Sequence, residues 1–201
     1  MKKLLQKLKL VKADPIVVVS GLPRSGTSLM MKMVETGGIP VLIDGIRTAD
    51  TDNPKGYYEF ERVKELDKGD KDWLPDAQGK VVKVISALLE HLPEGYTYKV
   101  IFMRRNIPEV LASQKKMLVH REEETDAVSD EELTMMYQKH LAGVERWLAE
   151  QPGVSTLYVH YNAIMSDPSD HVRSINQFLG GNLDVDAMNT VIDPNLYRNR
   201  G

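Results

Sequence analysis

The chain has 201 residues, a length that suits one domain with a substantial core. Its net charge of −3 provides no overall basic field, so nucleic acid is not an expected partner. The absence of cysteine excludes disulfides, thiolate metal sites and a cysteine nucleophile. We therefore expect a single domain over residues 1–201, in which any anion is bound by locally placed Arg and Lys side chains.

The first fourteen residues are predicted to form an amphipathic N-terminal segment. Leu4, Leu5, Leu8 and Leu10 alternate there with five lysines, so the charged and apolar parts of a signal peptide are not separated. No apolar run in the chain approaches the roughly 18 residues that span a bilayer. A short helix or strand lying on the domain is favoured over a membrane-surface anchor. The expected location is cytoplasmic.

Strand and helix patterns alternate along the rest of the chain. The predicted strands are 15–20, 40–43, 80–85, 99–103 and 154–159, and the predicted helices are 26–35, 59–66, 86–92, one that begins at Pro108, 131–150 and 172–179. Residues 44–56 and 121–130 are predicted to be loops. The alternation predicts an α/β fold, a three-layer arrangement with helices on both faces of a parallel β-sheet. Ligands of such sheets bind beyond the carboxyl ends of the strands, so residues that follow strands are the candidates for a site.

The first of these connections has the composition of a phosphate-binding loop. Residues 21–28 read Gly-Leu-Pro-Arg-Ser-Gly-Thr-Ser between the first strand and the first helix. The glycines let backbone N–H groups point into one concavity, and the helix N-terminus adds partial positive charge. Arg24 adds a forked cation, and Thr27 and Ser28 add hydroxyls. Together these groups predict an anion site, most simply for a phosphate.

The loop differs from the one that binds nucleoside triphosphates. Its spacing resembles G-x-x-x-x-G-K-[ST], but Thr27 occupies the lysine position and the cation, Arg24, lies inside the loop. Triphosphate enzymes also use an Asp after a strand to hold magnesium, whereas Ile85 and Arg104 end the third and fourth strands here. A nucleoside or small-molecule kinase is therefore a less favoured alternative. A non-catalytic adenylate-binding module is a further alternative.

The sequence Ser-Gly-Leu-Pro-Arg-Ser-Gly-Thr-Ser-Leu resembles the 5′-phosphosulfate loop of sulfotransferases that use 3′-phosphoadenosine 5′-phosphosulfate (PAPS). The Pro-Arg-Ser-Gly-Thr form is closer to the protein-tyrosine and bacterial branches than to the cytosolic branch, which has Lys in place of this Arg. The resemblance implies a P-loop NTPase-like sulfotransferase fold, PAPS as donor, 3′-phosphoadenosine 5′-phosphate (PAP) as product and no required metal. The acceptor would be a hydroxyl or amine of a small molecule, carbohydrate or peptide. The implied donor contacts on this loop are Arg24, Ser25, Gly26, Thr27 and Ser28.

Later segments supply further matches to the same family. Arg105 follows the fourth strand and Ser113 lies eight residues beyond it, a pattern similar to the family's 3′-phosphate segment. Tyr161, in Leu-Tyr-Val-His-Tyr-Asn, matches a tyrosine that lies beside the nucleotide in the family. It fits equally well as a tyrosine packed in the core with its hydroxyl hydrogen-bonded. Arg198 lies in a basic tail, at the place where members of the family often have a C-terminal segment that closes over the 3′-phosphate.

The resemblance also suggests which residues carry the chemistry. Arg24 and Lys83 would stabilise charge on the departing phosphate oxygen, Lys83 matching a strand lysine of the cytosolic branch. The histidine base of that branch is replaced by Ile85. The tyrosyl-protein branch and some bacterial relatives use a Glu after the second strand, and this role falls to Glu59, with Glu61 as second choice. Glu59 fits equally well as a structural residue at the start of a helix, where the helix dipole favours a carboxylate.

Overall fold

A four-stranded parallel sheet forms the centre of the computed structural model, which describes residues 13–46, 56–120 and 128–192. The strands are β1 (Ile16–Gly21), β2 (Val81–Lys83), β3 (Tyr98–Arg104) and β4 (Val154–His160), in the order β2-β1-β3-β4. Val19 pairs with Lys83 on one side and with Ile101 on the other. The carboxyl ends of the strands therefore meet at one edge of the sheet, where the sequence predicts the site.

Helices cover both faces of this sheet. They are α1 (Thr27–Thr36), α2 (Ile107–His120), α3 (Asp130–Glu150), α4 (Tyr161–Ser166), α5 (Pro168–Leu179) and α6 (Val185–Thr190), with shorter 3-10 helices at Glu61–Glu65, Pro75–Ala77 and Ser86–His91. A Ser129–Glu132 capping box starts α3, because the Ser129 hydroxyl accepts from the Glu132 N–H and the Glu132 carboxylate accepts from the Ser129 N–H. Asp167 caps α5, whose first residue is Pro168.

The core divides into two layers because successive strand residues point to opposite faces. On β1, Val17 and Val19 pack in one cluster with α1, α5 and α6. Ile16 and Val18 pack in the other, with α3 and the 3-10 helices. The predicted three-layer α/β architecture with helices on both faces is confirmed.

One predicted strand is wrong. Residues 40–43 do not form a strand, and only Val41 makes an isolated parallel bridge, to Val81. Two hydrogen bonds of 2.8 Å, from Leu42 N to Val81 O and from Val81 N to Pro40 O, hold the segment against β2. Pro40 has no N–H to donate, and β2 has only three residues to pair with, so the ladder stops there.

Several predicted helices have other bounds. The predicted helices at 59–66 and 86–92 are short 3-10 helices, at Glu61–Glu65 and Ser86–His91. The last predicted helix, 172–179, begins earlier at Pro168, and α4 and α6 were not predicted. Both missed helices have six residues, too few for a clear 3.6-residue pattern.

Residues 1–12 of the predicted amphipathic segment, the loop residues 47–55 and 121–127, and Arg198 lie outside the described residues. Among the helices in the described ranges, none is long and apolar enough to cross a membrane. The cytoplasmic location stays a prediction.

Candidate functional site

The predicted phosphate loop connects β1 to α1 in the structure. Gly21 ends β1, and Gly26 precedes the first helical residue, Thr27, with φ of 100°. Arg24 also has positive φ, 72°, which costs a residue with a Cβ about 1–2 kcal/mol. The loop is closed by a hydrogen bond of 3.1 Å from Ser25 N to Leu22 O. Strained backbone of this kind is concentrated at functional sites, and here it leads directly into the N-terminus of α1.

Two glycines are required because other groups approach the loop closely. A side chain at Gly26 would collide with Cδ2 of Tyr161 and lie 3.0 Å from its Cε2. A side chain at Gly21 would meet the backbone oxygen of Met103 at 2.6 Å. The hydroxyl of Ser25 is buried under the loop and has no hydrogen-bond partner among the described residues. Of the predicted loop contacts, Ser25 is therefore the one whose side chain does not reach the surface.

The two predicted phosphate segments touch each other. Arg24 donates from Nε to the hydroxyl oxygen of Ser113 at 2.9 Å. Arg105 donates from Nη1 to the backbone oxygen of Arg24 at 3.1 Å, and Gln114 donates from Nε2 to that of Pro23, also at 3.1 Å. The loop after β1 and the start of α2 thus form one continuous surface, although 81 residues separate Arg24 from Arg105.

Only one of the two adjacent arginines at the end of β3 faces this surface. Arg105 lies over the ring of Tyr161, with the guanidinium carbon 4.4 Å from the ring centroid, and its side chain is 7% exposed. Arg104 turns to Glu145, at 2.6 Å, and to the ring of Tyr158. Side chains alternate along a strand, so two consecutive residues separate in this way. Arg105 lies at the floor of the site, and Tyr161 connects it to Gly26.

The predicted catalytic cation and base lie beside the same loop. Lys83 donates from Nζ to the backbone oxygen of Tyr57, which also accepts from the Ser28 hydroxyl at 3.4 Å. Oε1 of Glu59 is 3.7 Å from Nζ of Lys83, and the two side chains are 16% and 9% exposed. The carbonyl of Tyr57 therefore lies at the end of β2 with Lys83, Glu59 and Ser28 close to it.

Two contacts hold the segment that carries Glu59. The backbone N–H of Glu61 donates to Oδ2 of Asp44 at 2.6 Å. Burial acts to raise the pKa of Asp44, but hydrogen bonds from the N–H groups of Glu61 and Ile46 lower it overall. Tyr58, with φ of 54°, donates its hydroxyl to Glu35 on α1 at 2.6 Å, and burial together with this carboxylate raises the pKa of Tyr58. The Glu59 segment is thus tied to α1.

Glu61, the second choice for the base, is placed differently. Its carboxylate binds Lys64 at 2.7 Å, and its side chain is 39% exposed. Lys64 also approaches Oε2 of Glu59 at 3.5 Å. Glu59 is the carboxylate that lies between Lys64 and Lys83, and Lys83 shares the carbonyl of Tyr57 with Ser28 of the predicted phosphate loop.

Four residues that sequence reasoning missed complete the site: Tyr57, Glu109, Gln114 and Asn162. Glu109 accepts from Arg105, which lies four residues earlier in the connection that leads into α2, so the sequence shows only that the two charges are near in the chain. The carbonyl of Tyr57 and the amides of Gln114 and Asn162 make contacts across long stretches of chain. No local pattern signals such contacts.

A parallel sheet whose first strand runs through a glycine loop into a helix is typical of the P-loop-like class of α/β proteins. Within that class, a model described as "Sulfotransferase family" matches residues 48–184, more than half of the chain. The chain therefore belongs to the sulfotransferase family. The matched range begins after the phosphate loop, so the family match and the loop geometry are independent of each other.

Comparison of folds gives the same architecture. Sulfotransferase STF1 from Mycobacterium tuberculosis H37Rv is 13% identical, with a TM-score of 0.56, over 95% of this chain and 73% of that one. The sulfotransferase domain of the Synechococcus PCC 7002 olefin synthase is 17% identical, with a TM-score of 0.53, over 94% of this chain and 84% of that one. A search of curated proteins found no match.

Proposed function

We propose that this protein transfers a sulfuryl group from PAPS to a hydroxyl or amine of a small molecule, carbohydrate or peptide. The observation that carries the proposal is the contact between the two phosphate segments, from Arg24 Nε to Ser113 Oγ at 2.9 Å. PAPS carries a phosphosulfate at the 5′ position and a phosphate at the 3′ position of one adenosine. It therefore needs two adjoining anion sites, and a nucleoside triphosphate needs only the first.

Each anion site has its own set of groups. The N–H groups at the start of α1, with the hydroxyls of Thr27 and Ser28, fit the 5′-phosphosulfate. Arg105 and Ser113 fit the 3′-phosphate, because a guanidinium binds phosphate through forked donors. Arg24 lies between these sites and can serve the sulfate once the donor is bound. Further donor contacts come from Gly26, whose close approach lets backbone amides reach the ligand. The family pattern also implies contacts from Tyr161, Arg198 and Ser25, whose buried hydroxyl would have to turn toward the ligand.

The transfer step breaks the bond between sulfur and the bridging oxygen of PAPS. The electron pair of that bond stays on the phosphate of PAP, and the acceptor oxygen or nitrogen forms the new bond to sulfur. Arg24 and Lys83 stabilise the charge that grows on the departing oxygen. Glu59 takes the proton from the acceptor, since its carboxylate lies next to Lys83 at the edge of the loop. No step in this scheme needs a metal ion.

Calorimetry with two nucleotides tests the proposal. PAP and adenosine 5′-monophosphate (AMP) differ only by the 3′-phosphate, and both are titrated in EDTA. We expect PAP to bind more tightly by about 10- to 100-fold or more, the factor for hydrogen bonds to charged groups. Arg105→Ala should remove this preference, whereas Arg104→Ala, the same change at the neighbouring arginine, should keep it.

Three results would contradict the proposal. Binding of ATP only with magnesium would favour a kinase. Equal binding of PAP and AMP would remove the 3′-phosphate site. Tight binding of PAP without transfer from PAPS to any member of a mixed acceptor panel would indicate a non-catalytic adenylate-binding module.

A further inference from the structure

We infer that Glu109 is a positioning residue that orients Arg105 toward the 3′-phosphate of the donor. The inference rests on the proposed function, because it assigns a role within the 3′-phosphate site. It adds to that site a carboxylate whose charge has the same sign as the ligand.

Glu109 lies in the first turn of α2 and is almost fully buried, with 3% of its side chain exposed. Its Oε2 accepts from Nε of Arg105 at 2.9 Å. Its Oε1 accepts from Nδ2 of Asn162 at 2.6 Å and from Nδ2 of Asn106 at 3.3 Å. The carboxylate thus joins the end of β3, the start of α2 and the start of α4.

The chemistry of these partners favours a carboxylate at position 109. All three partner atoms are N–H donors, and an ionised carboxylate offers only acceptors. A glutamine would keep the shape of the side chain but would place its own N–H₂ against one of these donors. Either Arg105 would then have to turn away or the amides of Asn162 and Asn106 would have to flip, because two facing donors cannot form a hydrogen bond.

The contact to Nε determines the direction in which Arg105 presents its other nitrogens. A guanidinium is planar, so the contact of Nε with Glu109 and that of Nη1 with the backbone oxygen of Arg24 together fix the plane of the whole group. The same plane lies over the ring of Tyr161 at 4.4 Å and directs Nη1 to the backbone oxygen of Arg24 at 3.1 Å. Arg105 is thereby held at the junction between the loop and Ser113 before any ligand arrives, which reduces the ordering cost of binding.

The alternative role of Glu109 makes the opposite prediction. If the carboxylate acted on the ligand only through its charge, its removal would lower the repulsion of a 3′-phosphate and tighten PAP binding. If it orients Arg105, its removal weakens PAP binding in spite of the lost repulsion. The sign of the change in PAP affinity therefore separates the two.

The experiment measures PAP and AMP affinities by calorimetry for the wild type and for Glu109→Gln. We expect Glu109→Gln to reduce the preference for PAP over AMP by roughly 10- to 100-fold, the range for a lost hydrogen bond to a charged group. AMP affinity should stay within about twofold, since AMP lacks the 3′-phosphate. In the sulfate-transfer assay the same variant should raise KM for PAPS more than it lowers kcat. Glu109→Asp, which keeps the charge, should recover part of the preference.

A matched control is available at the neighbouring ion pair. Glu145→Gln makes the same change in the partner of Arg104, outside the proposed site, and should leave the preference for PAP intact. Because Glu109 is buried, Glu109→Gln can fail to fold, and Asn162→Ala is then the informative variant. It removes one donor from Oε1, keeps the pair with Arg105, and should reduce the preference for PAP several-fold.

The outcomes are distinct. A wild type without any preference for PAP overturns both the proposed function and this inference. A wild type with the preference, together with Glu109→Gln or Asn162→Ala variants that fold and keep it or bind PAP more tightly, overturns the inference alone. An equal loss of PAP and AMP affinity indicates a general structural role and also overturns it.

Discussion

Replacement of Gly26 by alanine tests how closely the phosphate loop is packed. Gly26 has φ of 100°, which costs an alanine about 1–2 kcal/mol. The new Cβ would also overlap Cδ2 of Tyr161 and lie 3.0 Å from Cε2, and such overpacking costs about 1–3 kcal/mol. The sum, about 2–5 kcal/mol, corresponds to a fall in Tm of roughly 4–20 °C for a chain of this length.

Gly38→Ala separates the two causes. Gly38 has φ of 109°, and nothing lies within 4 Å of a Cβ built there. Its replacement should therefore show the backbone cost alone, about 1–2 kcal/mol. We expect Gly26→Ala to be the more destabilising change when both are measured by chemical denaturation.

A double-mutant cycle with Tyr161→Ala completes the test. Removing the ring should make Gly26→Ala less costly, with a coupling free energy of about 1–3 kcal/mol, the same range as the overpacking cost. Additive effects, within about 0.5 kcal/mol, would refute the packing argument and show that the loop relaxes away from the ring.

Two further predictions concern the segment of Glu59. Glu59→Gln should lower kcat by about 10²–10⁴-fold and leave PAP affinity unchanged. Glu61→Gln should leave both kcat and PAP affinity unchanged. If steady-state kinetics showed an equal loss of kcat in the two variants, the assignment of Glu59 as the base would be contradicted. Because folding lowers the pKa of Asp44, its ionised carboxylate stabilises the protein at pH values above the ordinary pKa of 3.8. This stabilisation is lost as the pH falls through the lower pKa of Asp44 in the folded state. Asp44→Asn should therefore destabilise the protein near neutral pH and flatten the decline of Tm below about pH 4. Wild-type and Asp44→Asn proteins with parallel curves of Tm against pH would contradict this.

Local patterns were sufficient for most of the sheet. Apolar runs identified β1 and β3, because strands buried on both faces are apolar along their length. The edge strand β4 is mostly not buried, and its β-branched residues identified it. The same reasoning failed at residues 40–43, where apolar composition is present but the edge of the sheet offers only a three-residue partner. Composition predicts that a segment can be buried, and hydrogen-bond partners from elsewhere decide whether it becomes a strand.

For the site, the sequence by itself was sufficient to recognise the family and to predict the anion loop. Glycines, a helix start and Arg24 are consecutive residues, so their chemistry can be read without knowing the rest of the chain. Only the tertiary structure decided that Arg24 meets Ser113, that Arg105 contacts the backbone oxygen of Arg24, and that Asn162 joins Glu109. These contacts connect residues 53 to 89 positions apart. They form because parallel strands deliver their carboxyl ends to one edge, whatever the length of chain between them.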